Sequence, residues 1–184
     1  MHIYTFFPRH SRAPLVLGLV LLLHLLAPRG VAAQDAGGIA PGARAPVVSA
    51  QDLTGRTVPV GPVAGVPVLI EFWATWCPYC ERLEPRMKAV HAKYGRQVRF
   101  YAVAVNVNES VARVARHVAS RGLRYPVLYD ASGAATREYD VPATSFVVII
   151  DADGRVAYTG MGDGQDLAAA LARVLASTRP GGRT

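Results

Sequence analysis

An apolar segment that is followed closely by a Cys-x-x-Cys motif constrains the fold of this chain more than any other feature of its sequence. Residues 66–73 are almost continuously apolar, and Cys77 and Cys80 follow them, with Pro78 after the first cysteine. A segment without polar alternation is typical of a strand that is buried on both faces of a sheet. A proline suits the first turn of a helix, where its missing N–H group has no partner to lose. The sequence therefore predicts a central strand that leads into a helix, with both cysteines at the start of that helix.

The placement of the cysteines predicts redox chemistry. Cys77 and Cys80 are the only cysteines among the 184 residues, so their sulfurs can react with each other, with a partner's thiol or with a metal. At a helix N-terminus the unpaired backbone N–H groups and the helix dipole favour a thiolate over a thiol. We therefore expect Cys77 to face outward as the nucleophile. Cys80, one turn further in, is expected to be shielded and to resolve a mixed disulfide.

Other uses of a paired-cysteine motif are weaker alternatives. Structural zinc requires four ligands. After residue 33 the only histidines that could join the two cysteines as ligands are His91 and His117, which we interpret as helix-face histidines. Haem attachment requires a histidine directly after the second cysteine, and Glu81 at this position excludes it. An inert disulfide remains open, but the loop that it would close is too short to stabilise the fold appreciably.

The first 33 residues have the three parts of a secretory signal. Arg9 and Arg12 precede an uncharged apolar run at residues 15–26, and the small residues 31–33 follow. We predict cleavage after Ala33 and export to the periplasm. An uncleaved membrane anchor is the alternative, but this apolar run is shorter than the about 20 residues that a membrane-spanning helix needs.

The charge of the chain does not indicate a nucleic-acid partner. The first 33 residues carry three arginines and no acidic residue, so their removal would lower the formal net charge from +7 to +4. The remaining basic residues are mostly arginines spread over predicted helices, which is typical of a solvated surface. We therefore expect no nucleic-acid binding. Separately, we expect the protein to be a monomer.

The rest of the chain alternates strand patterns with helix patterns. We predict a flexible Gly/Ala/Pro-rich leader at residues 34–45, one domain at 46–178 and a disordered tail at 179–184. Short runs of β-branched residues predict strands near Val47 and at residues 57–60, 66–73, 98–105, 126–129, 146–150 and 156–159. Apolar residues three or four apart predict helices at residues 77–94, around 111–118 and at 167–175. Turns at residues 52–55 and 151–154 close two hairpins. This order predicts an α/β fold with a mixed sheet.

The residues around the motif resemble those of the thioredoxin superfamily. The resemblance lies in residues 72–80 and in Pro85, five residues after the second cysteine. The secretory signal, the N-terminal hairpin and an extra strand and helix before Phe146 make the chain most similar to the TlpA/ResA-like thiol-disulfide oxidoreductases. The resemblance implies a thioredoxin fold, with a mixed central sheet flanked by helices, and a reversible Cys77–Cys80 disulfide. It also implies that no cofactor is bound.

The same resemblance implies partners and a direction of electron flow. Proteins of this kind exchange electrons with cysteine-containing secreted or periplasmic proteins. We expect the protein to act as a reductant, for instance of apocytochrome cysteines in cytochrome c maturation, and to be recharged by a membrane electron donor of the DsbD type.

Glu71 is the predicted proton-transfer residue. It stands six residues before Cys77, where thioredoxins carry a buried acidic residue that exchanges a proton with the buried cysteine. An ionised carboxylate is costly to bury within the apolar residues 69–73, so its pKa should rise and make it a usable acid and base. The alternative is a position at the rim of the sheet with an arginine partner.

One position departs from the family pattern. These proteins place a cis-proline against the disulfide, and their spacing puts that proline at residue 145, which is Ser145 here. Either Pro142 is the cis residue, or a trans peptide bond between Thr144 and Ser145 stands where these proteins have the cis bond. We expect trans, because a cis bond before a residue other than proline costs about 2.5–4 kcal/mol. The missing proline leaves copper binding or delivery by the cysteine pair as an alternative function, because Cu(I) is a soft ion that prefers thiolate.

Further residues are expected to surround the site rather than to react. Trp76, Pro78 and Tyr79 belong to this group, with Thr144 and Ser145 on the opposite loop, and Trp76 is a candidate for partner docking. Cys-Pro-Tyr-Cys is also the glutaredoxin motif, but the secretory signal argues against a glutathione-dependent enzyme. A peroxiredoxin would need a threonine three residues before the reactive cysteine, where this chain has Ala74.

Overall fold

A seven-stranded mixed sheet forms the centre of the computed structural model, which describes residues 37–178 and His2. The strands are β1 (Val48–Asp52), β2 (Thr57–Val60), β3 (Val68–Trp73), β4 (Arg99–Ala104), β5 (Val127–Tyr129), β6 (Phe146–Ile150) and β7 (Val156–Met161). The helices of the described part are α1 (Pro78–Tyr94), α2 (Val111–Arg121), α3 (Ala134–Glu138) and α4 (Leu167–Ser177).

The strand order places β3 inside the sheet. The order is β2-β1-β5-β4-β3-β6-β7, with β3 parallel to β4 and antiparallel to β6. Parallel neighbours require a crossover, which α1 provides between β3 and β4 and α2 between β4 and β5. All six residues of β3 are buried, as are all five of β6. The carboxyl end of β3, which leads into the cysteine motif, therefore lies beside two other strands.

The predicted α/β fold with a mixed sheet is confirmed. The strand at residues 146–150 and the strand at 57–60 have the predicted bounds, and the other elements differ by a few residues at their ends. In both predicted hairpin turns an aspartate accepts backbone N–H groups: Asp52 from Thr54 and Arg56, and Asp151 from Asp153 and Arg155. The sequence patterns missed α3, because five residues are too few to show a helical period.

Part of the predicted leader lies along β7. Gly42 donates its N–H to the carbonyl of Val156, and Val156 donates to the carbonyl of Ala43. Gly38 has φ +84°, and a Cβ there would overlap the ring of Phe146, so that both the backbone and the packing require glycine. The predicted signal at residues 1–33 and tail at 179–184 lie outside the described residues, apart from His2. Among the described residues no helix is both long enough and apolar enough to cross a bilayer.

A buried aspartate, Asp130, binds the first turn of the short helix α3, whose N-cap residue is Gly133. Its carboxylate accepts the N–H groups of Ala135 and Thr136 at 3.2 and 2.8 Å and the hydroxyl of Thr136 at 2.7 Å. Asp166 caps α4 from an exposed position through one bond, from Ala169. Each carboxylate thus satisfies backbone donors that a helix start leaves unpaired.

We expect the Asp130→Ala substitution to lower the free energy of unfolding by about 2–3 kcal/mol, because it leaves one buried and two partly buried donors without partners. The Asp166→Ala substitution is the matched control and should cost about 1 kcal/mol, because water can replace the lost bond. Denaturant titration of both variants measures the two losses. Equal losses would contradict the role of Asp130 as a buried acceptor at the first turn of α3.

Candidate active site

The Cys77–Cys80 disulfide lies at the N-terminus of α1. Cys77 is the residue that caps this helix, in an extended conformation with φ −89° and ψ 111°, and its Sγ accepts the N–H of Cys80 at 3.1 Å. Pro78 occupies the first turn. The two cysteines are disulfide-bonded, with their Cα atoms 5.3 Å apart. In the reduced protein the same N–H group is placed to stabilise a thiolate on Cys77.

The prediction that Cys77 faces outward is wrong for this oxidised state. Cys77 and Cys80 are each only 4% exposed. The reason is that the Cys77 sulfur forms a disulfide with the Cys80 sulfur and accepts a hydrogen bond from the Cys80 N–H group. Both bonds turn the Cys77 sulfur toward the helix. Its sequence neighbours Trp76 and Pro78 are exposed, so a partner sulfur can approach from their side.

Glu71 is buried at the middle of β3. It is 3% exposed, and its register partners in the two neighbouring strands are Ala102 and Val147. Burial raises its pKa to about 8, with a smaller contribution from the negative charge of Glu84. The rim position with an arginine partner is wrong, because β3 is paired on both sides and no ion pair of Glu71 occurs among residues 37–178. Its role in proton transfer stays a prediction.

A cavity of about 230 Å³ adjoins the disulfide. Its volume is large enough for several water molecules, each of which occupies about 30 Å³ in the liquid. Its walls bring together ionisable and redox-active side chains of β3, of α1 with its N-cap residue, and of α2: Glu71, Cys77, Cys80, Glu81, Glu84, His117 and Arg121. The crossover helix α2 thus adds His117 and Arg121 to the site. The Cys-x-x-Cys motif itself contains no such groups.

Glu84 is a further acidic residue of this cavity, and it was not among the residues predicted from the sequence. Its carboxylate lies 2.7 Å from Lys88 Nζ, 3.1 Å from Arg121 Nε and 3.4 Å from His117 Nε2. Desolvation raises its pKa, but the hydrogen bonds and charges of Lys88 and Arg121 outweigh this and lower it overall, so Glu84 is ionised. One signal was present: Glu84 follows Cys80 by four residues and therefore lies on the same helix face.

The loop opposite the motif contains only trans peptide bonds. No peptide bond in the described residues is cis, which confirms the trans Thr144–Ser145 bond and excludes Pro142 as a cis residue. Ser145 is fully buried with φ 64°, and its carbonyl accepts the N–H of Gly162 at 3.0 Å and Nε2 of Gln165 at 3.1 Å. The buried Gln165, which no sequence signal indicated, thereby holds this loop.

The loop lies at the β3 end that leads to the motif, because Phe146 pairs with Phe72. Neither Thr144 nor Ser145 lines the cavity itself. Thr144 and Ser145 therefore belong to the loop at the end of β6, and the cavity wall is formed by Glu71 of β3 and by residues of α1 and α2 instead.

Two exposed aromatic residues flank the disulfide. Trp76 is 46% exposed, and its indole N–H donates to the carbonyl of Val107 at 2.9 Å. Tyr79 is 54% exposed, and the Arg82 guanidinium lies 4.6 Å from its ring centre. Glu109 accepts the N–H of Thr75 at 2.8 Å and so ties the segment before the motif to the start of α2. This contact joins residues 34 apart in the chain, and nothing local predicts it.

Fold and site together define a class of protein, the thioredoxin-like thiol-disulfide oxidoreductases. The Redoxin family model matches residues 40–174, and the chain belongs to this family. Within it the chain is a TlpA/ResA-like thiol-disulfide oxidoreductase of the thioredoxin superfamily.

Three proteins illustrate the similarity. The thiol-disulfide oxidoreductase ResA of Geobacillus thermodenitrificans is 32% identical over 147 residues, which cover 77% of this chain and 84% of that protein. A crystal structure assigned to a thiol:disulfide interchange protein DsbE of Chlorobium tepidum has a TM-score of 0.65 at 25% identity and covers 76% of this chain and 98% of its own. A secreted disulfide oxidoreductase of Mycobacterium tuberculosis, described as homologous to E. coli DsbE, has a TM-score of 0.59 at 27% identity, with 68% and 95% covered.

Proposed function

We propose that this oxidoreductase works outside the cytoplasm as a reductant of disulfides in secreted or periplasmic proteins. The observation that carries the chemistry is the Cys77–Cys80 disulfide at a helix N-terminus, above a cavity that also contains the buried Glu71. The signal pattern of residues 1–33 and the similarity to a secreted oxidoreductase support the location. The reducing direction is supported by the resemblance to TlpA/ResA-like proteins.

The proposed reaction transfers two electrons to the partner. The Cys77 thiolate attacks one sulfur of the partner's disulfide, and the other sulfur leaves as a thiolate that takes a proton from water. Cys80 then gives its proton to the Glu71 carboxylate and attacks Cys77 Sγ. The second partner sulfur leaves, takes a proton from water, and the Cys77–Cys80 disulfide is restored. The partner is reduced to a dithiol, and the protein is oxidised.

The proposed partners follow from the family resemblance. They are cysteine-containing secreted or periplasmic proteins, among them apocytochromes during cytochrome c maturation, and a membrane electron donor of the DsbD type that reduces the disulfide again. Exposed Trp76 and Tyr79 beside the disulfide support docking of a partner segment at this surface, because aromatic residues contribute strongly to protein interfaces.

The reduction potential of the Cys77–Cys80 couple tests the proposed direction. Tryptophan fluorescence of the exported protein in redox buffers reports the transition, because Trp76 directly precedes Cys77. We expect a value near the about −270 mV of thioredoxin. A value near about −120 mV would mark an oxidant and contradict the reducing role. If no reversible transition occurs and the reduced protein instead binds one Cu(I) per chain, the copper-carrier alternative replaces the proposal.

A further inference from the structure

Glu71 can act as a base only after it has lost a proton to solvent. Its pKa of about 8 keeps it protonated at neutral pH, whereas the proposed reaction needs its carboxylate to accept the proton of Cys80. Ala102 and Val147, its buried register partners, offer no polar group on either side within the sheet. The proton therefore has to leave through the cavity that Glu71 shares with the disulfide.

We propose that His117 is the group through which Glu71 exchanges protons with solvent, and that Glu84 holds the imidazole in place for this task. The inference rests on the proposed proton-transfer role of Glu71. His117 lines the same cavity as Glu71, on the facing helix α2. Its side chain is 22% exposed, whereas that of Glu84 is 9% exposed, so the imidazole links the cavity to solvent.

The other ionisable groups that line the cavity are less suited to this exchange. Arg121 keeps its proton at any relevant pH, because a guanidinium does not lose it in proteins. Burial raises the pKa of Tyr125 far above neutrality, with smaller contributions from Glu71 and Glu84, so the phenol also keeps its proton. Glu81 is 65% exposed and paired with Arg121. Cys77 and Cys80 are the reacting groups themselves.

The surroundings of His117 suit a group that gains and loses a proton. Its Nε2 lies 3.4 Å from the Glu84 carboxylate, and its ring packs against that of Trp73 with centres 5.2 Å apart. An imidazole exchanges protons readily near neutral pH. Because the cavity that both residues line is large enough for several water molecules, cavity water can connect Glu71 and His117 without direct contact.

The proposed proton step moves no electrons. The Glu71 carboxyl gives its proton through cavity water to neutral His117, which becomes an imidazolium beside ionised Glu84. The imidazolium then releases this proton to solvent and returns to its neutral form. The Glu71 carboxylate is left free to take the proton of Cys80 when that thiol attacks the mixed disulfide.

Turnover of the His117→Ala variant tests the proposal, with His91→Ala as the matched control. His91 is another histidine on a helix, and its ring packs edge-on against Phe100 and Tyr125. The assay measures reduction of a small aromatic disulfide by the full chain, with dithiothreitol as electron donor, at pH 7 and pH 9. We expect His117→Ala to slow turnover about 10-fold at pH 7. This loss is smaller than the about 10²–10⁴-fold rate contribution of a general acid or base, because His117 acts only on the proton of Glu71. The loss should be much smaller at pH 9, where Glu71 is already ionised.

Imidazole added to the buffer should restore turnover of His117→Ala at pH 7 and leave His91→Ala unchanged. The inference is overturned if His117→Ala behaves like His91→Ala, or if its loss is equal at both pH values and imidazole has no effect. His117→Gln, which keeps packing against Trp73, replaces the alanine variant if that variant does not fold. Failure of the proposed function is distinguishable, because it shows in the reduction potential of the unmodified protein and not in the difference between the His117→Ala and His91→Ala variants.

Glu84→Gln tests the positioning role separately. Removing the negative charge should move the pH midpoint of turnover to lower values, because the Glu84 charge contributes to the raised pKa of Glu71. It should also make turnover at pH 7 less sensitive to a further His117→Ala substitution, because the imidazole is then no longer held in place. A His117→Ala effect that is equally large with and without Glu84→Gln would contradict the positioning role of Glu84.

Discussion

The Cys80→Ser variant is expected to accumulate a stable mixed disulfide between Cys77 and a partner cysteine. Without Cys80 no thiol of the chain can attack the Cys77 sulfur, because these are the only two cysteines. Well-oriented intramolecular groups act with effective molarities of up to about 10⁵–10⁸ M, so the loss of Cys80 should slow release of the partner at least about 1000-fold. Mass spectrometry of a reaction with a disulfide-containing peptide measures the trapped species.

The Cys77→Ser variant is the matched control, since it removes the other sulfur and leaves Cys80 in place. Both sulfurs are equally buried in the oxidised protein, but Cys80 lies within α1, whereas Cys77 caps this helix between the exposed residues Trp76 and Pro78. The Cys77→Ser variant should therefore form little or no mixed disulfide. Equal trapping by both variants would contradict the assignment of Cys77 as the sulfur that partners attack. Absence of trapping by Cys80→Ser would argue against thiol exchange altogether.

The Glu71→Gln variant is expected to remove a large pH dependence from the free energy of unfolding. In the folded protein the pKa of Glu71 is about 8, against an ordinary value of 4.5. The folded state therefore binds more protons than the unfolded state between these two pH values, and its stability falls as pH rises from about 4.5 to about 8. The difference corresponds to at most about 5 kcal/mol.

Denaturant titrations at pH 5, 7 and 9 measure this effect. The stability of Glu71→Gln relative to the unmodified protein should rise by several kcal/mol from pH 5 to pH 9. Glu138→Gln is the matched control, because Glu138 is exposed and its substitution removes the same charge. A pH dependence that is the same in Glu71→Gln and Glu138→Gln would contradict the buried state of Glu71.

Glu71→Gln should also slow turnover. An amide cannot accept the proton of Cys80, and general acid–base groups contribute about 10²–10⁴-fold to rates. The same assay that follows His117→Ala therefore gives a larger loss for Glu71→Gln, and imidazole should not restore it. Restoration by imidazole would place the proton acceptor elsewhere.

The active centre was predictable where residues adjacent in sequence are also adjacent in space. The spacing of Cys77 and Cys80 places both at the start of one helix, and the apolar run around Glu71 predicts a buried strand and a raised pKa. The exposure of Cys77 was not predictable in the same way. It depends on the disulfide and on the N–H group of Cys80, both of which turn the sulfur toward the helix.

The opposite loop shows a second limit. The missing proline at residue 145 and the trans bond could be inferred from the sequence and the cost of a cis bond. The carbonyl of Ser145 is nevertheless held by Gln165, which is 20 residues further along the chain and carries no motif. Sequence patterns indicate which residues a turn can contain. They do not indicate which distant side chain will donate a hydrogen bond to a carbonyl group of that turn.

By itself, the sequence determined the order of strands and helices, the redox pair and the buried carboxylate, because these depend on local periodicity and on the chemistry of neighbouring residues. Only the tertiary structure decided which groups share the cavity with that pair. Glu84 and His117 meet there because the crossover of α2 brings one side of that helix against α1, although the two residues are 33 positions apart in the chain. The contacts of the proposed proton path depend on how α1 and α2 pack against each other. Contacts of this kind produce no recognisable pattern in the local sequence.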